Sequence, residues 1–147
     1  MIKNMKKIKK SLFFIAVSIF FALLTGCSDN TPIYSDASSG AGYNIRLMVS
    51  TQEVSNGGSF SVTAYVTDPD GNAVPDEEDS VVFSSSASDV DFDDEEADIK
   101  SGIAKTFATW EDKSDSEDPD APTIATIIGT YKGATSYVQI LLVTESF

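Results

Sequence analysis

From residue 43 onward, apolar side chains recur at every second position and nowhere keep a 3.6-residue period for more than two turns. Phe60, Val62, Ala64 and Val66 alternate with Ser59, Ser61, Thr63, Tyr65 and Thr67, the pattern of a strand buried on one face. Ile45, Leu47 and Val49 alternate with Arg46, Met48 and Ser50 in the same way, as do Val138, Ile140 and Leu142 with Tyr137, Gln139 and Leu141. Residues 80–86, 103–110 and 123–131 are shorter β-branched or aromatic candidates. For 103–110 the alternation leaves the buried face open, because Phe107 and Trp110 fall on opposite parities.

Turn chemistry separates these segments: Asn56-Gly57-Gly58, Pro69-Asp70-Gly71-Asn72, Ser101-Gly102 and Lys132-Gly133. Six or seven short strands with turns every eight to twelve residues predict an all-β fold, a β-sandwich of about seven strands. An eight-stranded membrane barrel is the rival, and the terminal Phe147 is a feature that such barrels share. A barrel needs a lipid-facing apolar band on every strand, and the segment around Phe60 offers one apolar face only.

The start of the chain has a different character. Five of the 10 basic residues (Lys3, Lys6, Lys7, Lys9 and Lys10) lie in the first ten positions. A run of 13 uncharged residues, 12–24, follows. At about 1.5 Å per helical residue it spans roughly 20 Å, short of a hydrocarbon core of roughly 30 Å. A basic start, a short apolar run and small residues form the layout of a secretory signal peptide over residues 1–26. The run closes on Leu24-Thr25-Gly26-Cys27. This resembles the lipobox of bacterial lipoproteins, in which Leu and two small residues precede an invariant Cys. The resemblance implies a lipidated Cys27 that becomes the first residue after cleavage, and a membrane partner reached through acyl chains. A plain signal peptide with an incidental Cys, or an uncleaved anchor, are the other readings. Ser28 rather than Asp follows Cys27, which in such lipoproteins favours the outer over the inner membrane. Residues 28–43, rich in Ser, Gly and Asp, read as a flexible tether, and the folded domain as 44–147.

Charge and the missing residue types exclude whole classes of function. Without residues 1–26 the chain carries 5 basic against 23 acidic residues, a net charge of −18, so a nucleic-acid partner is excluded by repulsion. It has no His and a single Cys. The common general base, the thiolate cluster and the intrachain disulfide are therefore all missing. Ser84-Ser85-Ser86 has no nearby base to activate it, and no motif of phosphate binding or acyl transfer is present. The expectation is a protein that is not an enzyme and needs no cofactor.

Two features could still make a site. Three acidic clusters hold most of the charge: Asp68 to Asn72; residues 76–79 with 89–98; and residues 111–120. Ca²⁺ takes six to eight oxygens from such loops, and Asp68, Asp70, Asn72 and Asp76 are the candidate ligands. An EF-hand starting at Asp68 would need Glu at its twelfth position, where Asp79 stands. The other readings are a β-turn at Asp68 and solvated, edge-protecting loops elsewhere. Aromatics form the second feature. Trp110 and Tyr131 are candidate contact residues, with Tyr65 and Tyr137 beside them, because rings next to carboxylates can stack on a glycan or anchor a protein. For Trp110 the competing reading is a core residue at a strand end.

A family resemblance runs through the same stretch. Thr67-Asp68-Pro69-Asp70-Gly71-Asn72-Ala73-Val74-Pro75, then Val81-Val82-Phe83-Ser84, resembles bacterial Ig-like domains of the invasin/intimin type. Gly102-Ile103-Ala104, and Tyr131-Lys132-Gly133 with residues 136–143, are similar to that family's later strands. The resemblance covers roughly residues 44–144. Ala97-Asp98 stands where the family has Thr-Asp, at a spacing one residue too long, and residues 75–80 and 111–121 are expanded with acids. It implies an Ig-like module without catalytic residues, serving in binding, adhesion or structure at the cell envelope. The alternatives are a Ca²⁺-dependent module with metal-ordered loops, and an accessory subunit that lends a sheet edge to an envelope assembly.

Overall fold

The computed structural model describes residues 31–76, 79–113 and 123–144. The expected signal peptide, Cys27, Glu77, Glu78 and most of the third acidic cluster lie outside the described residues. Every described segment with period-2 patterning is a strand. These are β3 (Tyr43–Val49), β5 (Ser59–Thr67), β6 (Ser80–Ser85), β9 (Ile103–Trp110), β10 (Thr123–Tyr131) and β11 (Ala134–Val143). Five shorter strands join them: β1 (Ile33–Tyr34), β2 (Ser38–Gly40), β4 (Glu53–Ser55), β7 (Val90–Phe92) and β8 (Glu96–Asp98). Two or three residues are too few to show a period, so these left no pattern to read.

The strands form two sheets, not a closed barrel. The first runs β1-β3-β5-β9-β7, with β2 also on β3; the second runs β4-β11-β10-β6-β8. With β3, β5, β6, β7, β9, β10 and β11 taken as strands A to G, the sheets read A-B-E-D and C-F-G, the order of an immunoglobulin sandwich. The chain crosses between sheets directly after β3, where β4 pairs parallel to β11, Glu53 opposite Leu141.

The core is the sum of the inward parities. Ile45, Leu47 and Val49 are fully buried, and so are Val62, Ala64 and Ile127. Strand β9 buries Ala104, Thr106, Ala108 and Trp110 and turns Ile103 and Phe107 outward, which resolves its open face. Three tight hairpins fix the register. Ala41-Gly42, Ser101-Gly102 and Lys132-Gly133 each hold two successive residues at positive φ, the demand of a type I′ turn.

One boundary shifts. Composition predicts a tether up to residue 43, yet residues 33–34 and 38–40 are paired along the outer edge of β3. Tyr34 faces Met48 and Ser38 faces Ile45, so three residues, 35–37, oppose two, Arg46 and Leu47. β1 and β2 are thus one edge strand broken by a β-bulge. Ser- and Gly-rich composition reads as linker because small residues give no hydrophobic period; here backbone ladders and a buried serine order them.

Candidate functional site

The loop after β5 is built around one carboxylate. Asp68 Oδ1 accepts the backbone N–H of Asp70 at 2.9 Å and of Asn72 at 2.8 Å, while Oδ2 accepts Asn72 Nδ2 at 3.0 Å. The Asp68 carbonyl accepts Gly71 N–H at 3.1 Å and Asn44 Nδ2 at 3.0 Å. The Asn72 amide, then the backbone N–H groups, hold the Asp68 carboxyl below its ordinary value, because each bond favours the charged form. Both oxygens are committed inside the turn.

The four candidate Ca²⁺ ligands therefore do not converge through their side chains. Asp68 and Asn72 meet, and Asp70 contributes its backbone N–H to that turn. Asp76 is used elsewhere: its Oδ1 accepts Ser101 N–H at 2.7 Å and pins the following loop to the β8–β9 hairpin. Among the described residues no three acidic, His or Cys side chains are grouped to hold a metal ion. The serine run is structural as well. Ser85 Oγ accepts Ala87 N–H at 3.1 Å and Ser86 Oγ accepts Thr126 N–H at 2.9 Å.

Both candidate contact aromatics are inside the sandwich: Trp110 takes the competing reading of a core residue at a strand end, and Tyr131 is corrected from a contact residue to a core one. Trp110 is 3% exposed and donates Nε1–H to Asp89 Oδ2 at 2.8 Å. Tyr131 is 1% exposed and packs edge-on to Tyr43, ring centroids 5.0 Å apart. Neither offers a face to a partner. Their strand parity buries them, and a large ring at a strand end closes the core better than it serves solvent. Tyr137, by contrast, is 66% exposed.

The exposed large apolar and aromatic side chains lie on the two outer sheet faces. On the first sheet, Arg46, Tyr65 and Ile103 lie abreast across β3, β5 and β9, and the next row is Tyr34, Met48, Thr63 and Lys105. Phe107 is half exposed beside them, with the Lys105 ammonium 4.8 Å from its ring centre. Arg46 stands 4.9 Å from the centre of the Tyr34 ring and donates Nε–H to the Ser35 carbonyl at 3.1 Å. Neither motif nor composition marks Tyr34, Arg46 or Phe107 as surface contact residues. The available signal was parity: a buried Trp110 forces Phe107 and Ile103 outward.

On the second sheet, Ile124 opposes Leu141, and Ile128 opposes Tyr137 on one side and Ser84 on the other. The strands β10 and β11 and the outward residues of β6 put no charged side chain on this face between Thr123 and Tyr131. Carboxylates appear at its two edges: Glu53 beside Leu141, and Glu96 and Asp98 beside Val82 and Ser80.

No helix among the described residues is long and apolar enough to cross a membrane. The chain matches no protein-family model, and no curated protein sequence matches it. Among solved structures, one described as the crystal structure of the S-layer protein SbsC domains 4 and 5 is similar at 12% identity. That similarity covers 84% of this chain and 81% of the other, with a TM-score of 0.40. It is too shallow to carry function.

Proposed function

We propose that the chain is a lipid-anchored, Ig-like module of the cell envelope with a non-enzymatic binding or structural role. The reading rests on Leu24-Thr25-Gly26-Cys27 behind a basic and then apolar leader, with the chain's single Cys at the position where lipidation requires it. Two or three acyl chains hold a protein firmly, since each buried methylene adds about 0.8 kcal/mol.

A second observation supports the reading. Ile33, the first strand residue among those described, lies six positions after Cys27. Six residues span at most about 22 Å when fully extended, at 3.3–3.6 Å each. The domain would therefore sit against the headgroups, closer than a tether running to residue 43 would hold it. Ile33 pairs with Val49, at the end of the sandwich that also carries Gln52, Gly57 and Trp110. That end would face the membrane. The opposite end, with the Asp68 turn, the Ser101-Gly102 hairpin and the Lys132-Gly133 hairpin, would point away.

Labelled palmitate fed to cells tests the anchor. The wild-type chain should take up label and pellet with membranes, and Cys27→Ser should lose both. Label in the variant, or an unlabelled wild type, would remove the lipoprotein reading. Protease treatment of whole cells then separates an outward-facing module from one facing the periplasm.

A further inference from the structure

In an acid-rich chain, basic side chains left without an acidic partner stand out. Residues 31–147 contain five: Arg46, Lys100, Lys105, Lys113 and Lys132. Lys113 pairs with Asp91 at 2.7 Å and Lys132 with Asp79 at 2.8 Å. Lys100, at the β8–β9 hairpin, Arg46 and Lys105 make no ion pair among the described residues, and the last two lie on one surface, the outer face of the first sheet. There they rest on the Tyr34 and Phe107 rings. Asp91 and Asp93 sit at the β7 edge of that face, where Asp91 is already paired, and Asp36 lies in the bulge at the opposite edge.

The outer face of the second sheet is the counterpart. Its middle is uncharged, a mixture of apolar and small polar side chains with Tyr137 66% and Ile124 60% exposed, and its rims are acidic at Glu53, Glu96 and Asp98. Exposed apolar surface of this kind on both sides of one small domain marks contact sites.

We infer that these faces are partners for each other: the first-sheet face of one copy stacks on the second-sheet face of another, with Arg46 and Lys105 set against the acidic rims. The inference deepens the anchored-module reading and rests on it. Stacking with the strand directions of the copies aligned keeps every Ile33 end on the same side, the arrangement in which all copies share one membrane. Because the two surfaces differ, the contact is heterologous, and repetition gives an open row of copies where a two-fold contact would stop at a dimer.

Size sets the strength. A face four strands wide at about 4.8 Å and six residues long at about 3.3 Å covers roughly 400 Å². That is near half the area of about 800 Å² per partner in stable complexes. The contact is weak in solution and is made effective by confinement on a surface, where the linked anchors raise local concentration. Net charge opposes random encounters between copies, so only the matched faces attract.

Cysteine cross-linking in intact cells tests this, with Ser61→Cys on the first face and Gln139→Cys on the second. Cells carrying both single variants, treated with a short bis-maleimide, should give severalfold more dimer than cells carrying either alone. A chain with both substitutions should give a ladder of multimers. Adding Arg46→Glu and Lys105→Glu to the Ser61→Cys chain should return the mixed dimer to the single-variant level. Lys105→Glu alone, an exposed change that breaks no hydrogen bond, should reduce it part of the way. Equal dimer from either single variant, adducts only with a different protein, or no dimer at all would overturn the inference. Membrane fractionation of the same cells keeps the two failures apart. A membrane-bound chain that does not cross-link sinks the stacking alone, and a chain found free of membranes sinks the anchor reading.

Discussion

Ser136 Oγ lies 2.7 Å from Ser35 Oγ, buried between the two sheets although 101 residues separate them in sequence. The Ser35 hydroxyl also accepts the backbone N–H of Leu47 at 2.8 Å, and its backbone N–H donates to the Leu47 carbonyl at 2.9 Å. The Ser136 hydroxyl is within 3.1 Å of the Asp36 carbonyl as well. One serine thus completes the bulge in the edge strand, and its partner fastens that strand to the opposite sheet.

Removing Ser35 Oγ leaves a buried N–H of Leu47 with no side-chain acceptor, a loss of about 1–3 kcal/mol. Ser136→Ala leaves that bond in place and should cost less, about 0.5–1.5 kcal/mol. Urea midpoints of the mature chain should rank wild type, then Ser136→Ala, then Ser35→Ala. Amide exchange at Leu47 should quicken most in Ser35→Ala. Equal midpoints for all three would mean that the bulge contributes no stability.

Gly40 meets the opposite sheet at another point of the same strand. A Cβ there would overlap the Gly133 carbonyl oxygen, and backbone cannot move aside as a side-chain tip can. Gly40→Ala should destabilise by about 1–3 kcal/mol through overpacking. The β2 amides should lose exchange protection first. A stable Gly40→Ala chain with a protected β2 would contradict the close approach.

Trp110 is the chain's single tryptophan, so its fluorescence reports the core directly. Trp110→Phe keeps a ring but removes the donor to Asp89, and should cost about 1–2 kcal/mol; Trp110→Ala should cost about 3–5 kcal/mol. In the wild type, emission should start blue-shifted and move red as denaturant opens the sandwich. A solvent-exposed spectrum in the native protein would return Trp110 to the surface.

The Asp68 turn carries a pH dependence. Its carboxyl titrates below the ordinary value in the folded chain, first because of the Asn72 side chain and then because of backbone N–H groups. A depressed carboxylate stabilises the turn above the unfolded pKa, and that contribution is lost as pH falls through the lowered folded value. The turn should therefore loosen only below the normal carboxylate range. Asn72→Ala should shift the Asp68 titration upward, read by carboxyl carbon chemical shifts. No shift would mean that the Asn72 bond does not form in solution.

With both Asp68 oxygens engaged and Asp76 bound to Ser101, calcium should act on this region only as a screening cation. Melts of the mature chain in Ca²⁺, in Mg²⁺, and in NaCl matched for ionic strength should coincide, and a chelator should change nothing. A rise specific to Ca²⁺ would require ligands from the other acidic loops.

Legibility in the sequence followed strand length and parity. Six strands of six residues or more declared themselves by alternation or by β-branched and aromatic content, and with them the sandwich. The edge strands did not, since β1, β2, β4, β7 and β8 are too short to show a period and rely on a long neighbour for their ladder. Residues 33–40 were hidden further by small polar side chains, whose ordering depends on Ser136 far along the chain. Asp68 was readable as a turn residue because Asx chemistry is local. Trp110 and Tyr131 were open to misreading, because residue type alone does not say which side of a strand is covered.

The anchor is the claim on which membrane position, orientation and stacking all depend. Its most direct measurement is the mass of the N-terminal peptide of the chain extracted from membranes. Lipidation predicts that the peptide begins at Cys27, with the mass of a diacylglycerol on the thiol and no residue from 1–26 remaining. A peptide that begins elsewhere, or that holds Cys27 as an unmodified internal residue, would contradict it.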